Sequence, residues 1–282
     1  MREGKTKIAV VAPASRLEPE TAERVQEIAQ TALPGRVELV FHPQCFFSSG
    51  HFAGDDETRT NAFVEFANDE SFSALWFARG GYGSGRIVEA VLSRLNAAAR
   101  RKLYLGYSDG AFLLAGLYRH GFHVAHGPIP HDIRRAGGDE AVKRALSFMV
   151  ERAPAALEPT IDGKHPTAAF NITILSHLVG TRLMPDLSGH VLMLEEVSEH
   201  LYAIDRSLVH ITSDETIRRV AGVRLGRCSD IPSNDPEFGQ APEEIVQHWC
   251  KQSDIPYLGD ADIGHDAENK IVPFGLLKDM PG

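Results

Sequence analysis

Gly106-Tyr107-Ser108-Asp109-Gly110 lies inside an apolar run, Leu103 to Gly121. A serine between small residues, where a strand bends into a helix, is the frame in which a hydroxyl is pushed out as a nucleophile. The small flanks Gly106 and Gly110 let strand and helix approach closely, and the backbone N–H of Asp109 faces a developing oxyanion. The same residues also describe an ordinary turn with Ser108 or Asp109 as N-cap, and the pattern alone is common. Other residues have to decide. Arg79-Gly80-Gly81-Tyr82-Gly83-Ser84-Gly85 opens a helix. It suits an anion cradle, or a supply of oxyanion N–H groups from a neighbouring strand. It lacks the Lys-Ser/Thr of a P-loop and does not follow the first strand. Glu195 and Glu196 end the apolar run of Val191–Val197. An acid at the end of a buried strand must be paired, so one of them is a candidate to orient a histidine. His265, between Gly264 and Asp266 on a loop before a short apolar stretch, is placed as a general base. Ser108, Glu195 and His265 follow the chain order of α/β-hydrolase triads, although order does not define a triad. The histidines of "HGFHVAHGPIPH" suggest a metal, but His123 and His126 are three apart on an expected strand and point to opposite faces.

These residues need a scaffold. Short apolar runs alternate with helical patterns through the first half: strands at "KIAVVAPAS", "VELVFHP", "SALWFARGG", "RKLYLGYSD" and "HVAHGPIP", with amphipathic helices between them. That alternation predicts a doubly wound parallel sheet of Rossmann-like type. Ligands bind at the carboxyl ends of such strands, so the glycine-rich segment and the Ser108 turn share one edge. Residues 1–136 are expected to form this domain and to carry the nucleophile. Residues 137–159, a helix and a Pro/Ala connection, are expected to link it to a second, mixed domain, 160–282. There, "GHVLMLEEV", "AGVRLG" and "NKIVPFG" are expected strands, and "AFNITILSHLVG" and "YAIDRSLVHITSD" expected helices.

The 282 residues are 43% hydrophobic and 24% charged, ordinary for a globular protein with a sizeable core. A formal net charge of -9 lacks the electrostatic footprint of a nucleic-acid binder. No window approaches the roughly 18 apolar residues of a membrane-spanning helix. Cys45, Cys228 and Cys250 are widely spaced without a C-x-x-C, which argues against a disulfide framework and fits a reducing compartment. The N-terminal "MREGKTKIAVVAPAS" imitates a secretory signal, but Ile8–Ala12 is too short for its apolar core. A cytoplasmic protein is expected.

The ordered segments resemble the LD-carboxypeptidases, serine peptidases that include the microcin C immunity hydrolases. "VVAPAS" is similar to the family's opening strand, and "FAGDDETRTNAFVEFANDESFSALWFARGGYGSGRI" resembles its F-A-G-x-D-x-x-R segment leading to A-R-G-G-Y-G. "GYSDGAFLL", "HGP", Gly180-Thr181, "PDLSGHVLMLEEVSEHLYAIDRSL" and "IGHDAENKIVPFG" follow in family order. The resemblance implies an N-terminal Rossmann-like domain, a C-terminal swivelling β-rich α/β domain and a site between them. It makes Ser108 the nucleophile, Glu195 the triad acid and His265 the base. Asp109, Gly80, Gly81, Arg79 and Asn171 become oxyanion or substrate-binding residues, with Arg79 for a terminal carboxylate. It implies no metal or cofactor, a murein-derived peptide substrate losing a terminal D-residue, and a homodimer. Where the family often has Gly-Gly-Asn this chain has Ala169-Phe170-Asn171, so the substrate pocket is expected to differ. Two other readings compete: hydrolysis of peptidyl-adenylates, as in the immunity members, and nucleotide binding by "RGGYGSG" without catalysis.

Overall fold

Five apolar stretches of the first half become β1 (Thr6–Val11), β2 (Val37–Phe41), β3 (Ala74–Phe77), β4 (Leu103–Gly106) and β5 (His123–His126) in the computed structural model, which describes residues 5–281. Helices α1 (Pro19–Ala32), α2 (Asp56–Asn68), α3 (Val88–Leu92) and α4 (Ala111–Arg119) connect them. The strands lie in the order β5-β4-β3-β1-β2, every neighbouring pair parallel. Every residue of β3 and β4 is buried, because helices cover both faces of the sheet. Side chains alternate between two cores: Ile8 and Val10 pack with α1, and Ala9 and Val11 with α2 and α3. β3 and β4 pair in register, Trp76 with Leu105, which brings the segments after both strands to one edge.

After β5 comes α5 (Gly138–Glu151), then a second sheet of β6 (Thr167–Asn171), β7 (Val191–Val197), β8 (Gly222–Ser229) and β9 (Tyr257–Asp260), all parallel and in that order. Its helices are α6 (Ile172–Leu178), α7 (Leu201–Ser213) and α8 (Pro242–Gln252). The fold is α/β with two parallel-dominated sheets. One apolar cluster runs from Phe77 and Leu114 of the first sheet's layers to Phe170, Leu194, Leu208 and Ile245 of the second.

Three expectations are corrected. Residues 137–159 are more than a connection: Val142, Ala145, Leu146 and Met149 of α5 are buried beneath the first sheet. Residues 167–171, placed in part at the start of a helix, form β6 because they pair with β7 along their whole length. "NKIVPFG" leaves the second domain, and its β10 (Val272–Pro273) adds antiparallel to β5 at the edge of the first sheet. Pro273 is tolerated there because an edge position needs no N–H donor on its open side. The element patterns of β9 and α8 were not picked out from the sequence.

Gly106 ends β4 where a Cβ would run into the ring of Phe77. Gly106→Ala is therefore expected to destabilise the fold by about 1–3 kcal/mol, read as a lower urea midpoint with an unchanged slope.

Candidate active site

Ser108 has φ 56, a left-handed conformation that a side chain with a Cβ rarely adopts. It follows the extended Tyr107 and precedes α4, so the chain bends sharply between strand and helix. Strain of this kind persists only where the surroundings over-determine it. Gly80 is part of those surroundings. A Cβ at Gly80 would lie 3.0 Å from Ser108 Cβ and 3.1 Å from Ser108 Oγ, so a larger residue there would crowd the serine. The carboxylate of Asp109 turns the other way. It accepts from the N–H groups of Gly83 (3.2 Å) and Ser84 (2.8 Å), and the Asp109 carbonyl accepts from the Ser84 hydroxyl. Burial pushes the Asp109 carboxyl above the usual carboxylate range, against the opposing pull of those amides. Arg59, its guanidinium buried, donates to the carbonyls of Gly83 (2.8 Å) and Pro13 and pairs with Asp56. The Gly83–Ser84 end of the glycine-rich loop is thus held from two sides, and at its other end Ser15 N–H donates to the Gly80 carbonyl at 3.3 Å.

Glu195 and His265 meet across 70 residues: Nδ1–H of His265 donates to Glu195 Oε2 at 2.6 Å. A carboxylate only accepts, so this bond fixes the tautomer and leaves Nε2 with its lone pair. Glu195 is fully buried and His265 is 9% exposed. Burial opposes protonation of the imidazole. The Glu195 carboxylate, by charge and hydrogen bond, and Asp132 beyond it outweigh burial and the opposing Arg135, so its pKa lies above the usual 6.5. Glu196, the other candidate acid, serves a different purpose. Successive strand residues face opposite sides, and Glu196 accepts from Asn171 Nδ2, from Thr173 N–H and hydroxyl, and from Val197 N–H.

The loop that carries His265 is held from several sides. Between the pairs Leu194–Leu225 and Glu196–Cys228, Glu195 alone of β7 faces both Gly226 and Arg227 of β8, a bulge that re-aims side chains. The loop lies along that bulge through Ala261 N–H to Leu225 (2.9 Å) and Arg227 N–H to the Ile263 carbonyl (2.9 Å). Gly226 permits this, since a Cβ there would stand 2.6 Å from the Ile263 carbonyl oxygen. Arg227 pairs with Asp262 and Asp266 on either side of the histidine. Asn269 Oδ1 accepts from Gly264 N–H (3.2 Å) and bonds His126 Nε2 (3.0 Å). Arg144 of α5 donates to the Ala267 and Asn269 carbonyls, and Glu158 accepts from Asp262 N–H.

Tyr107, next to Ser108, brings the two halves together: its ring centroid is 4.9 Å from that of His265. Among the described residues no hydrogen bond joins Ser108 to His265. Arg79 is half-buried and gives one N–H to the Arg16 carbonyl at 3.0 Å, its one side-chain hydrogen bond among the described residues. Asn171 differs from expectation. It is 6% exposed, its Oδ1 caps α6 through Ile174 N–H (3.1 Å) and its amide nitrogen donates to Glu196, so both ends help hold the β6–α6 junction. Sequence reasoning missed Arg59, Asp132, Arg144, Arg227 and Asn269. The F-A-G-x-D-x-x-R segment contains Arg59 and "IGHDAENKIVPFG" contains Asn269, the one signal for either. Among the described residues no helix is long and apolar enough to cross a membrane.

Sequence models of the LD-carboxypeptidase N-terminal domain and C-terminal domain match residues 8–127 and 167–279. A murein tetrapeptide carboxypeptidase of Pseudomonas aeruginosa is 26% identical, over 98% of this chain and 93% of its own. The crystal structure of a muramoyltetrapeptide carboxypeptidase from Oxalobacter formigenes superposes with a TM-score of 0.80 at 22% identity, covering 96% of this chain and 93% of that one. The microcin C7 self immunity protein MccF gives 0.78 at 17% identity, covering 96% and 91%. A serine-type peptidase of two α/β domains is the class these matches describe. The chain belongs to the LD-carboxypeptidase family.

Removing the Asp109 carboxylate orphans two buried N–H groups. Asp109→Ala is expected to cost about 1–3 kcal/mol per unpaired amide, seen as a lower unfolding midpoint together with faster hydrogen exchange at Gly83 and Ser84.

Proposed function

We propose that the protein is a carboxypeptidase that cleaves an L,D-peptide bond, releasing terminal D-alanine from murein tetrapeptide as part of peptidoglycan recycling. The reading is carried by one observation: a carboxylate-held imidazole, 2.6 Å from Glu195, packs against the residue preceding a strained serine. The names of the relatives in Pseudomonas and Oxalobacter support the substrate.

In this mechanism Ser108 Oγ attacks the carbonyl before the terminal residue while its proton passes to Nε2 of His265. The tetrahedral oxyanion is met by the N–H of Asp109 and of Gly80 or Gly81, each donor contributing about 3 kcal/mol. The C–N bond then breaks, and Nε2–H gives its proton to the leaving amine. Water, deprotonated by the same nitrogen, releases the acyl group from Ser108. Glu195 holds the tautomer throughout and stabilises the imidazolium. Ser108 and His265 close to hydrogen-bond distance when substrate binds, as apo sites commonly require. The free edge of Arg79 grips the terminal carboxylate, a match of planar fork to carboxylate. A homodimer in the cytoplasm completes the reading, and light scattering checks its mass.

Ser108→Ala and His265→Ala are expected to lower kcat for D-alanine release by roughly 10⁴-fold or more. Near wild-type rates in both would sink the triad. Release of nothing from tetrapeptide, with cleavage of a peptidyl-adenylate, would replace recycling by the immunity-type reaction. Tight nucleotide binding without labelling of Ser108 by a fluorophosphonate would replace catalysis altogether. Arg79→Ala is expected to raise KM with kcat largely kept.

The base must be neutral to take a proton, and its pKa lies above 6.5, so kcat/KM falls as pH drops through a midpoint above 6.5. Glu195→Gln removes the charge that raises it. The midpoint then moves to lower pH while kcat drops, which a pH–rate profile of both proteins checks.

A further inference from the structure

Asp132 sits in the turn Pro130–Arg134 and is 1% exposed. Its Oδ2 accepts from the Ile129 N–H at 3.0 Å, which caps its own turn. That bond alone is a local device. Oδ1 reaches outward, accepting from Tyr107 Oη at 2.7 Å and from Arg135 Nε at 3.1 Å. A carboxylate buried this deeply is costly unless paired, and one of its partners is the residue beside the nucleophile.

The Nδ1–Glu195 bond sets the direction of one edge of the His265 ring. It leaves rotation about the bond axis free, and that rotation swings Nε2 away from the serine. A surface packed on the imidazole face stops it. Tyr107 supplies that surface, 4.9 Å between centroids at 53°. Its own ring is fixed by the bond to Asp132 and by an edge contact with His126 at 5.4 Å. We propose that Asp132 is a positioning residue for His265, acting through Tyr107 to hold the imidazole where Nε2 aims at Ser108. This rests on the triad reading above.

The charges around the imidazole make the idea testable. Glu195 of β7 and Asp132 favour the protonated ring, and Arg135 opposes it. His126 of β5 is driven by burial to about 4 and stays neutral near pH 7. On the histidine's own loop Asp266 is paired with Arg227. Asp132→Asn therefore lowers the His265 titration midpoint, and Arg135→Gln raises it. Tyr107→Phe keeps the ring and removes its anchor.

Two measurements decide. NMR of labelled histidine, with His265→Gln for assignment, gives the titration midpoint and the order parameter of the His265 Cε1–H bond without any substrate. Steady-state kinetics on tetrapeptide gives kcat and KM. In Tyr107→Phe the order parameter is expected to fall, and kcat to fall on the order of ten- to a hundredfold with KM nearly unchanged. A role limited to capping the turn would lower the melting temperature of Asp132→Asn and move the midpoint through the lost charge, but leave the His265 order parameter and kcat of both Asp132→Asn and Tyr107→Phe as in wild type. An unchanged order parameter together with an unchanged kcat in Tyr107→Phe overturns the proposal. Should Asp132→Asn fail to fold, Tyr107→Phe and Arg135→Gln carry the test, since Arg135 is 37% exposed. Should wild type release no D-alanine, the functional reading fails while the NMR arm still decides this one.

Discussion

The bond between Glu195 and His265 is the constraint around which the second half of the molecule is arranged. A buried carboxylate needs a partner, and here the partner comes from a loop 70 residues away. Its second oxygen, Oε1, has no hydrogen-bond partner among the described residues, so the histidine bond is what compensates its burial. The loop has no ladder of its own to hold it. It borrows rigidity from the β8 bulge, from Arg227 on both flanks, from Arg144 of α5 and from Glu158. A displacement of any of these moves an imidazole whose task tolerates little error.

The serine half meets the opposite problem. Its difficulty is conformational: a left-handed serine must be kept in place between strand and helix. The clamp is the glycine-rich loop, tied by Arg59 from below and by the Asp109 carboxylate from beside the serine. Asp109 therefore has two separate uses. Its carboxylate orders the loop, and in the proposed mechanism its backbone N–H meets the developing charge.

The two halves are joined more firmly than a linker would join them. β10 follows the histidine loop directly and returns to the first sheet, and one apolar cluster spans both sheets. Asn269 bonds His126 of β5, so the histidine loop is registered against the sheet that bears the serine. Tyr107 completes that registration, with one side against His126 and another against His265.

Local patterns made much of this legible in the sequence. Alternating apolar runs and helical faces are short-range signals, and they located β1 to β5 and placed Gly80 beside Ser108 at one sheet edge. The serine turn was visible because Gly106 and Gly110 flank it, and the ordered family segments pointed to Glu195 and His265 as a pair, which the structure brings to 2.6 Å. The residue pattern alone left Glu195 and Glu196 open, and the resemblance chose Glu195; strand facing and the β8 bulge are why it is Glu195 that meets a histidine. The sequence put Asn171 near a ligand but gave no sign that its amide also caps α6 and holds Glu196. It read β6 partly as helix and β10 as part of the second domain, because strand identity there comes from pairing with β7 and β5 and not from periodicity. Asp132, Arg144 and Arg227 carried no local signal at all. Composition and periodicity determined the layers of this protein, while the tertiary structure decided which buried charges meet, since that depends on neighbours far away in the chain.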